Sequence, residues 1–140
     1  VGYNGDHVAN CYSTSAVVGT GVAVGGLVGG NTRSAHVSDC YSTGAVSGDG
    51  WYVGGLVGDN IGDVVVTRCF WDTQTSGQAT SAGGTGKTTA EMQTTSTFLD
   101  AGWDFVGETA NGTEDIWWID EGKDYPHLWW ELNEEDTVNP

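Results

Sequence analysis

The chain has 140 residues and carries 19 acidic against 4 basic side chains, a formal charge of −15 at neutral pH. That balance argues against binding nucleic acid, which needs a positive footprint, and against docking on anionic lipid. It fits a secreted protein, a salty milieu or divalent cations, and equally a surface made acidic for solubility. The length allows one domain, or a regular body with a terminal cap. Glycine is abundant at 23 residues and proline scarce at 2, with no collagen-like triplet, so the glycines serve turns and close backbone approaches. Three cysteines are an odd number and cannot complete a disulfide framework. No apolar run approaches the roughly 20 residues that span a bilayer. The first residue is Val1, with no initiator methionine or signal peptide, which suits a processed form or a piece of a longer chain.

Residues 1–7 (VGYNGDH) read as the tail of a repeat whose first circuit is incomplete. Residues 8–31 (VANCYSTSAVVGTGVAVGGLVGGN) and 37–60 (VSDCYSTGAVSGDGWYVGGLVGDN) are identical at 16 of 24 positions. Cys11, Cys40 and Cys69 are spaced 29 residues apart, as are the two VGGLVG motifs at 24–29 and 53–58. A fixed period of this size marks a stacked architecture in which no single unit buries its own apolar face. Residue types within the period are β-branched, aromatic or glycine with short alternation, so the elements are strands, about three per repeat at roughly 3.3 Å per residue. One circuit of 29 residues then forms one coil of a parallel right-handed β-solenoid, with equivalent residues about 4.8 Å apart in ladders. The expected ladders are Val8/Val37/Val66, Cys11/Cys40/Cys69, Val17/Val46, Val24/Val53 and Leu27/Leu56. Val8 and Cys11 are three apart, as are Val24 and Leu27, so a bend must lie between the members of each pair. Asn10, Asp39 and the glycine pairs 25–26 and 54–55 are residues that tolerate positive φ at such corners. A meander of hairpins is the rival, but no Asn-Gly or Asp-Gly turn recurs at a hairpin interval.

After Asn60 the repeat decays. Residues 64–70 (VVVTRCF) keep a strand and the cysteine, and Gly83-Gly84 is the last echo of the glycine pair by count. Thr88 and Glu91 have capping-box spacing ahead of a short helix over 90–93. A second helical turn over 96–101 is closed by Gly102. Residues 103–106, 115–119 and 127–132 read as strands, the last two joined by a turn over 120–126. This division predicts solenoid repeats over 1–87 and a C-terminal capping segment, aromatic-rich and mixed in structure, over 88–140. Its last residues, 133–140, form a frayed acidic tail.

The units VxxCYSTGxV and VGGLVGxN, carried by residues 10–14, 25–29, 39–44 and 54–58, resemble the GLUG repeat of bacterial and archaeal surface proteins. Cys69-Phe-Trp-Asp72, the glycine-rich run 83–88, Trp103-Asp-Phe105 and Tyr125-Pro126 resemble the segment that closes such arrays. The resemblance implies a right-handed β-helix in adhesins, surface proteins and some secreted peptidases. Those peptidases carry a separate metalloprotease domain with an HExxH helix. No histidine here (His7, His36, His127) is followed by Glu, so no catalytic residue carries over.

Each candidate chemistry has a plainer alternative. The run 81–88 (SAGGTGKT) approaches a P-loop, but its opening residue is Ser81 and no buried strand precedes it. The cysteine ladder could form one strained bridge, yet parallel side chains point alike; buried free thiols acting as small hydrophobes are the alternative. No CxxC pair offers a zinc site. His7 over His36 could share a metal if both face out, or simply be two exposed imidazoles. Asp59 with Asp63, and Asp120 with Asp124, are weak calcium candidates, since calcium wants six to eight oxygens. Trp117, Trp118, Trp129 and Trp130 could form a sugar platform; on strands one of each pair faces the core and the other faces out. Asn111 opens a glycosylation sequon. A polysaccharide-active enzyme needs paired carboxylates about 5–10 Å apart, and stacked rungs offer Asp39 only between Asn10 and Arg68. The expectation is an extracellular, non-enzymatic structural or adhesive solenoid without a cofactor, calcium aside. Its partners are upstream repeats or head-to-tail copies of itself forming a filament, and glycans if it is instead a carbohydrate-binding accessory domain.

Overall fold

A computed structural model of the chain describes residues 1–132; the acidic run 133–140 lies outside the described residues. Strands dominate the described residues, with three short α-helices and one 3₁₀ turn. Two compact units are distinguished, Val1–Thr89 and Ala90–Pro140.

In the first unit every sheet is parallel and nearly every pair joins residues 29 apart. His7 pairs with His36 and His36 with Val65. Tyr12 pairs with Tyr41 and Tyr41 with Phe70. Val17 pairs with Val46, Val24 with Val53, and Val28 with Val57. The five expected ladders are in place, and no hairpin joins the copies. One pair departs from the period: Tyr3 and Asn4 lie against Gly30 and Asn31 at an offset of 27. Each copy breaks into five short strands rather than three. In the second copy these are His36–Ser38, Tyr41–Ser42, Val46–Gly48, Tyr52–Gly54 and Val57–Ile61.

The corners explain the fragmentation. Asn10, Asp39 and Arg68 hold equivalent positions and all take left-handed φ, at 53°, 53° and 51°. Asn and Asp accept this conformation readily because their short polar side chains bond locally; Arg68 is held there by a bidentate pair with Asp39, both contacts 2.7 Å. The glycine pairs 25–26 and 54–55 were expected to supply positive φ, and they do not. They are glycine because the backbone passes too close for a side chain. A Cβ on Gly25 would fall on the Val28 carbonyl, on Gly54 on the Val57 carbonyl, and on Gly55 on the Trp71 indole.

The core is one cluster of Leu27, Val28, Val37, Cys40, Leu56, Val57, Cys69 and Trp71, with Val8, Cys11 and Val66 packed on it. Beside it runs a buried polar ladder that the sequence reading did not single out. Asn4 donates to Asn31 at 3.1 Å, Asn31 to Asn60 at 2.8 Å, and Asn60 to the Ala82 carbonyl at 2.9 Å. Its signal was present in the sequence: Asn31 and Asn60 close the two copies at the same position.

The third circuit is cut short. Strand Phe70–Asp72 pairs in parallel with Thr85–Lys87 after only 15 residues. Between them Asp72, fully buried, caps helix Thr73–Ser76 by accepting from Gln74 N and Thr75 N, and also accepts from the Thr89 hydroxyl. The chain then crosses the second VGG corner at residues 80–82, not at Gly83-Gly84 as the count suggested. Gly55 N donates to the Thr80 carbonyl and Ala82 N to the Val57 carbonyl. In the first copy, Leu27 N and Val28 N both reach the Leu56 carbonyl. In the second, Leu56 N and Val57 N reach the Ser81 hydroxyl at 3.3 and 2.9 Å. A side-chain oxygen thus replaces the missing backbone acceptor. The run once compared with a P-loop supplies this hydroxyl and the last parallel strand.

In the second unit, helices Thr89–Met92 and Thr95–Leu99 match the two predicted turns within a residue or so, and Gly102, at φ 104°, ends the second. Trp117–Trp118 and His127–Leu128 form an antiparallel pair across the predicted turn. Two expectations are corrected. Residues 103–106 form no strand, only a bridge from Phe105 to Trp117. Residues 127–132 leave the strand after Leu128 and wind into the 3₁₀ turn Trp129–Glu131. The core here is Phe98, Trp103, Phe105 and Trp117, rings stacked or tilted at 4.5–6.3 Å.

Candidate functional site

The first copy lies at the edge of every sheet it enters, and its side chains show the consequence. Val37, Cys40, Tyr41 and Val46 are buried in the second copy, whereas their counterparts Val8, Cys11, Tyr12 and Val17 are all partly exposed. Residues 1–4 cover only part of this face: the Val1 amino group donates to the Leu27 carbonyl, and Gly29 N and Gly30 N reach the Val1 and Gly2 carbonyls. A cleft of about 500 Å³ opens there, walled by Tyr12, Val17, Val24 and Leu27. Chemically it presents apolar side chains and strand edges, a surface suited to adding another layer of strands.

The thiol ladder crosses this face. All three cysteines are free. Each thiol donates to the carbonyl two residues back: Cys11 to Ala9, Cys40 to Ser38 and Cys69 to Thr67, at 3.0–3.1 Å. The left-handed residue between them turns the chain out of its ladder, and the thiol occupies the carbonyl at that bend. This repeated local bond gives a structural reason for cysteine every 29 residues. A hydrogen bond with Cys69, and then burial, pushes the Cys40 thiol far above its ordinary range; burial, then Cys40, raises Cys11. An aromatic disulfide reagent at pH 8 is therefore expected to modify only Cys11 in the native chain and all three thiols in denaturant, since thiolate and access are both required. Rapid native modification of three thiols would show the ladder is not packed this way.

His7 and His36 stack face to face, centroids 4.9 Å apart, on the outside, with His7 Nδ1 on Asp6 at 2.6 Å. Among the described residues no three His, Cys, Asp or Glu side chains converge as a metal would require. Asp59 and Asp63 are not brought together as a cation site. Asp120 pairs with Lys123 at 3.5 Å, and Asp124 with His127 at 2.9 Å. The sequon residue Asn111 is corrected as a glycan acceptor in the folded chain. Its Nδ2 donates to the Leu99 carbonyl at 2.9 Å and to the Trp103 carbonyl at 3.1 Å, so both amide hydrogens serve the fold.

The four tryptophans do not form one platform. Trp117 is buried and Trp118 half-buried against His127, as expected for neighbours on a strand. Trp129 and Trp130 sit in the 3₁₀ turn and are both exposed, at 58% and 64%, so the one-in, one-out expectation fails for them. A cleft of about 380 Å³ beside Trp129 is lined by Val106, Glu114, Asp115 and Leu132. Trp51 and Tyr52, with Val18 and Val22, form a second exposed apolar group on the first unit.

No described helix is long and apolar enough to cross a membrane. Residues 20–47 match the family model described as the GLUG motif, across the end of the first copy and the start of the second. No curated protein and no solved structure matches the chain. The chain thus carries a GLUG motif on its 29-residue repeat.

Proposed function

We propose that this GLUG-motif repeat is a right-handed parallel β-solenoid serving as an extracellular, non-catalytic structural protein. It builds or projects surface structure by stacking copies head to tail through the first-copy edge. The observation that carries this reading is the contrast between buried Val37, Cys40, Tyr41 and Val46 and their half-exposed partners one layer away. Burying an apolar side chain contributes about 1.5–3 kcal/mol, so covering four such positions favours association before any backbone bond is counted. On the opposite side, strands Val65–Thr67 and Thr85–Lys87 also lie at sheet edges. A contact between unlike edges is heterologous and propagates as an open filament unless it closes into a ring.

Electron microscopy and sedimentation of the purified chain test this. Fibres or concentration-dependent oligomers are expected, and Val8→Lys with Val17→Lys should return them to monomers by burying unpaired charge in the contact. A chain that stays monomeric at about 100 µM, near the weak end of useful affinity, would overturn the assembly reading.

A further inference from the structure

Charge is distributed unevenly between the two units. Thirteen of the 19 acidic and one of the 4 basic side chains fall in residues 90–140, a formal −12 against −3 for residues 1–89. On this acidic unit the cleft beside Trp129 combines an exposed indole, two apolar walls from Val106 and Leu132, and the carboxylates Glu114 and Asp115. Among the described residues neither carboxylate forms an ion pair with a basic side chain. Asp115 also takes a left-handed φ of 52°, on the residue just before Ile116, whose carbonyl accepts the Trp129 backbone N–H at 2.9 Å. The same short segment therefore places the acid and anchors the aromatic.

We propose that this cleft binds the guanidinium group of an arginine presented by a basic partner protein. An indole face attracts a cation through its quadrupole, and a guanidinium can stack on the ring. Its planar donors then match adjacent carboxylate oxygens, while the apolar walls take the aliphatic stem. The net field of the unit steers a basic surface toward it and would repel an acidic one. A neutral sugar would use the indole but gain nothing from the field.

The test uses the whole chain and a blocked five-residue peptide alternating glycine and arginine, with citrulline as the neutral isostere. The arginine peptide is expected to quench tryptophan fluorescence saturably. Citrulline should weaken binding about tenfold or more, the scale of one to two lost charge-assisted contacts. The double variant Glu114→Gln, Asp115→Asn should weaken it similarly with an unchanged melting temperature, and Trp129→Ala should abolish the signal where Trp130→Ala keeps it. Raising salt should weaken binding. Equal binding of the citrulline peptide, preferential binding of a neutral oligosaccharide that ignores the carboxylate variant, or no saturation by about 10 mM, weaker than any specific contact of this size, would each overturn the proposal.

Discussion

Alanine at Gly54 or Gly55 is expected to destabilise the first unit by about 3 kcal/mol or more, beyond ordinary overpacking, because a fixed backbone or ring stands in the way. The new methyl on Gly54 would meet the Val57 carbonyl in its own corner and the backbone of Ser81 in the next layer. On Gly55 it would enter the ring of Trp71, whose indole nitrogen is tied to the Gln78 carbonyl at 2.9 Å. Neither neighbour is the far end of a flexible side chain that could swing aside. Gly21, also in the repeat, is the control: nothing lies within 4 Å of its Cβ position, and its φ is not positive. Gly21→Ala should be neutral or stabilising by about 0.4–1 kcal/mol through the unfolded chain. Chemical denaturation of the three variants decides it. Equal midpoints for Gly54→Ala and Gly21→Ala would mean the corner is not built as described.

The glycine pairs also show what was legible in the sequence and what was not. Their place in the fold followed from the period, since a motif returning after 29 residues must stack if neighbouring layers share a core. Their purpose did not follow. Positive φ and close approach both demand glycine, and only the neighbouring layer distinguishes them. The left-handed corner was legible at Asn10 and Asp39, whose side chains suit it; Arg68 does not, and is explained by an ion pair visible only once the register is known. Five strands replaced three because corner residues interrupt the alternation more often than the apolar pattern reveals. Past Asn60 the period no longer guides the reading. A serine hydroxyl standing in for a carbonyl, at Ser81, has no sequence signature. The cleft beside Trp129 was half legible: the tryptophans stood out. Their 3₁₀ geometry and the approach of Glu114 and Asp115, fourteen or more positions away, depend on how the segment folds back. The first-copy edge was the easiest site to foresee, because a repeat that begins abruptly leaves its own ladders without a next member.

The asparagine ladder yields the second large effect. Asn31 is fully buried, accepts from Asn4 and donates to Asn60, so its amide is read on both sides. Asn31→Asp keeps the shape and the acceptor but removes the donor. It sets a carboxylate oxygen against the Asn60 oxygen that formerly received a proton. Ionised, the new group is a buried charge without a cation; protonated, it restores the bond at the cost of holding a carboxylic acid neutral. Its folded pKa must therefore rise above that of an unfolded aspartate. The variant should lose about 3 kcal/mol at pH 7, in the range of an unpaired buried charge. A raised folded pKa means the native state binds the extra proton more tightly. The deficit should therefore shrink as pH falls toward the unfolded aspartate value near 4 and be fully present well above the raised folded value. Asn31→Ala, which leaves the Asn60 oxygen without its donor but adds no charge, should cost about 2–3 kcal/mol with no such pH dependence. Thermal melts of both variants between pH 4 and 7 separate the two. A deficit in Asn31→Asp that stays flat across that interval would mean the amide at position 31 is hydrated rather than locked between layers.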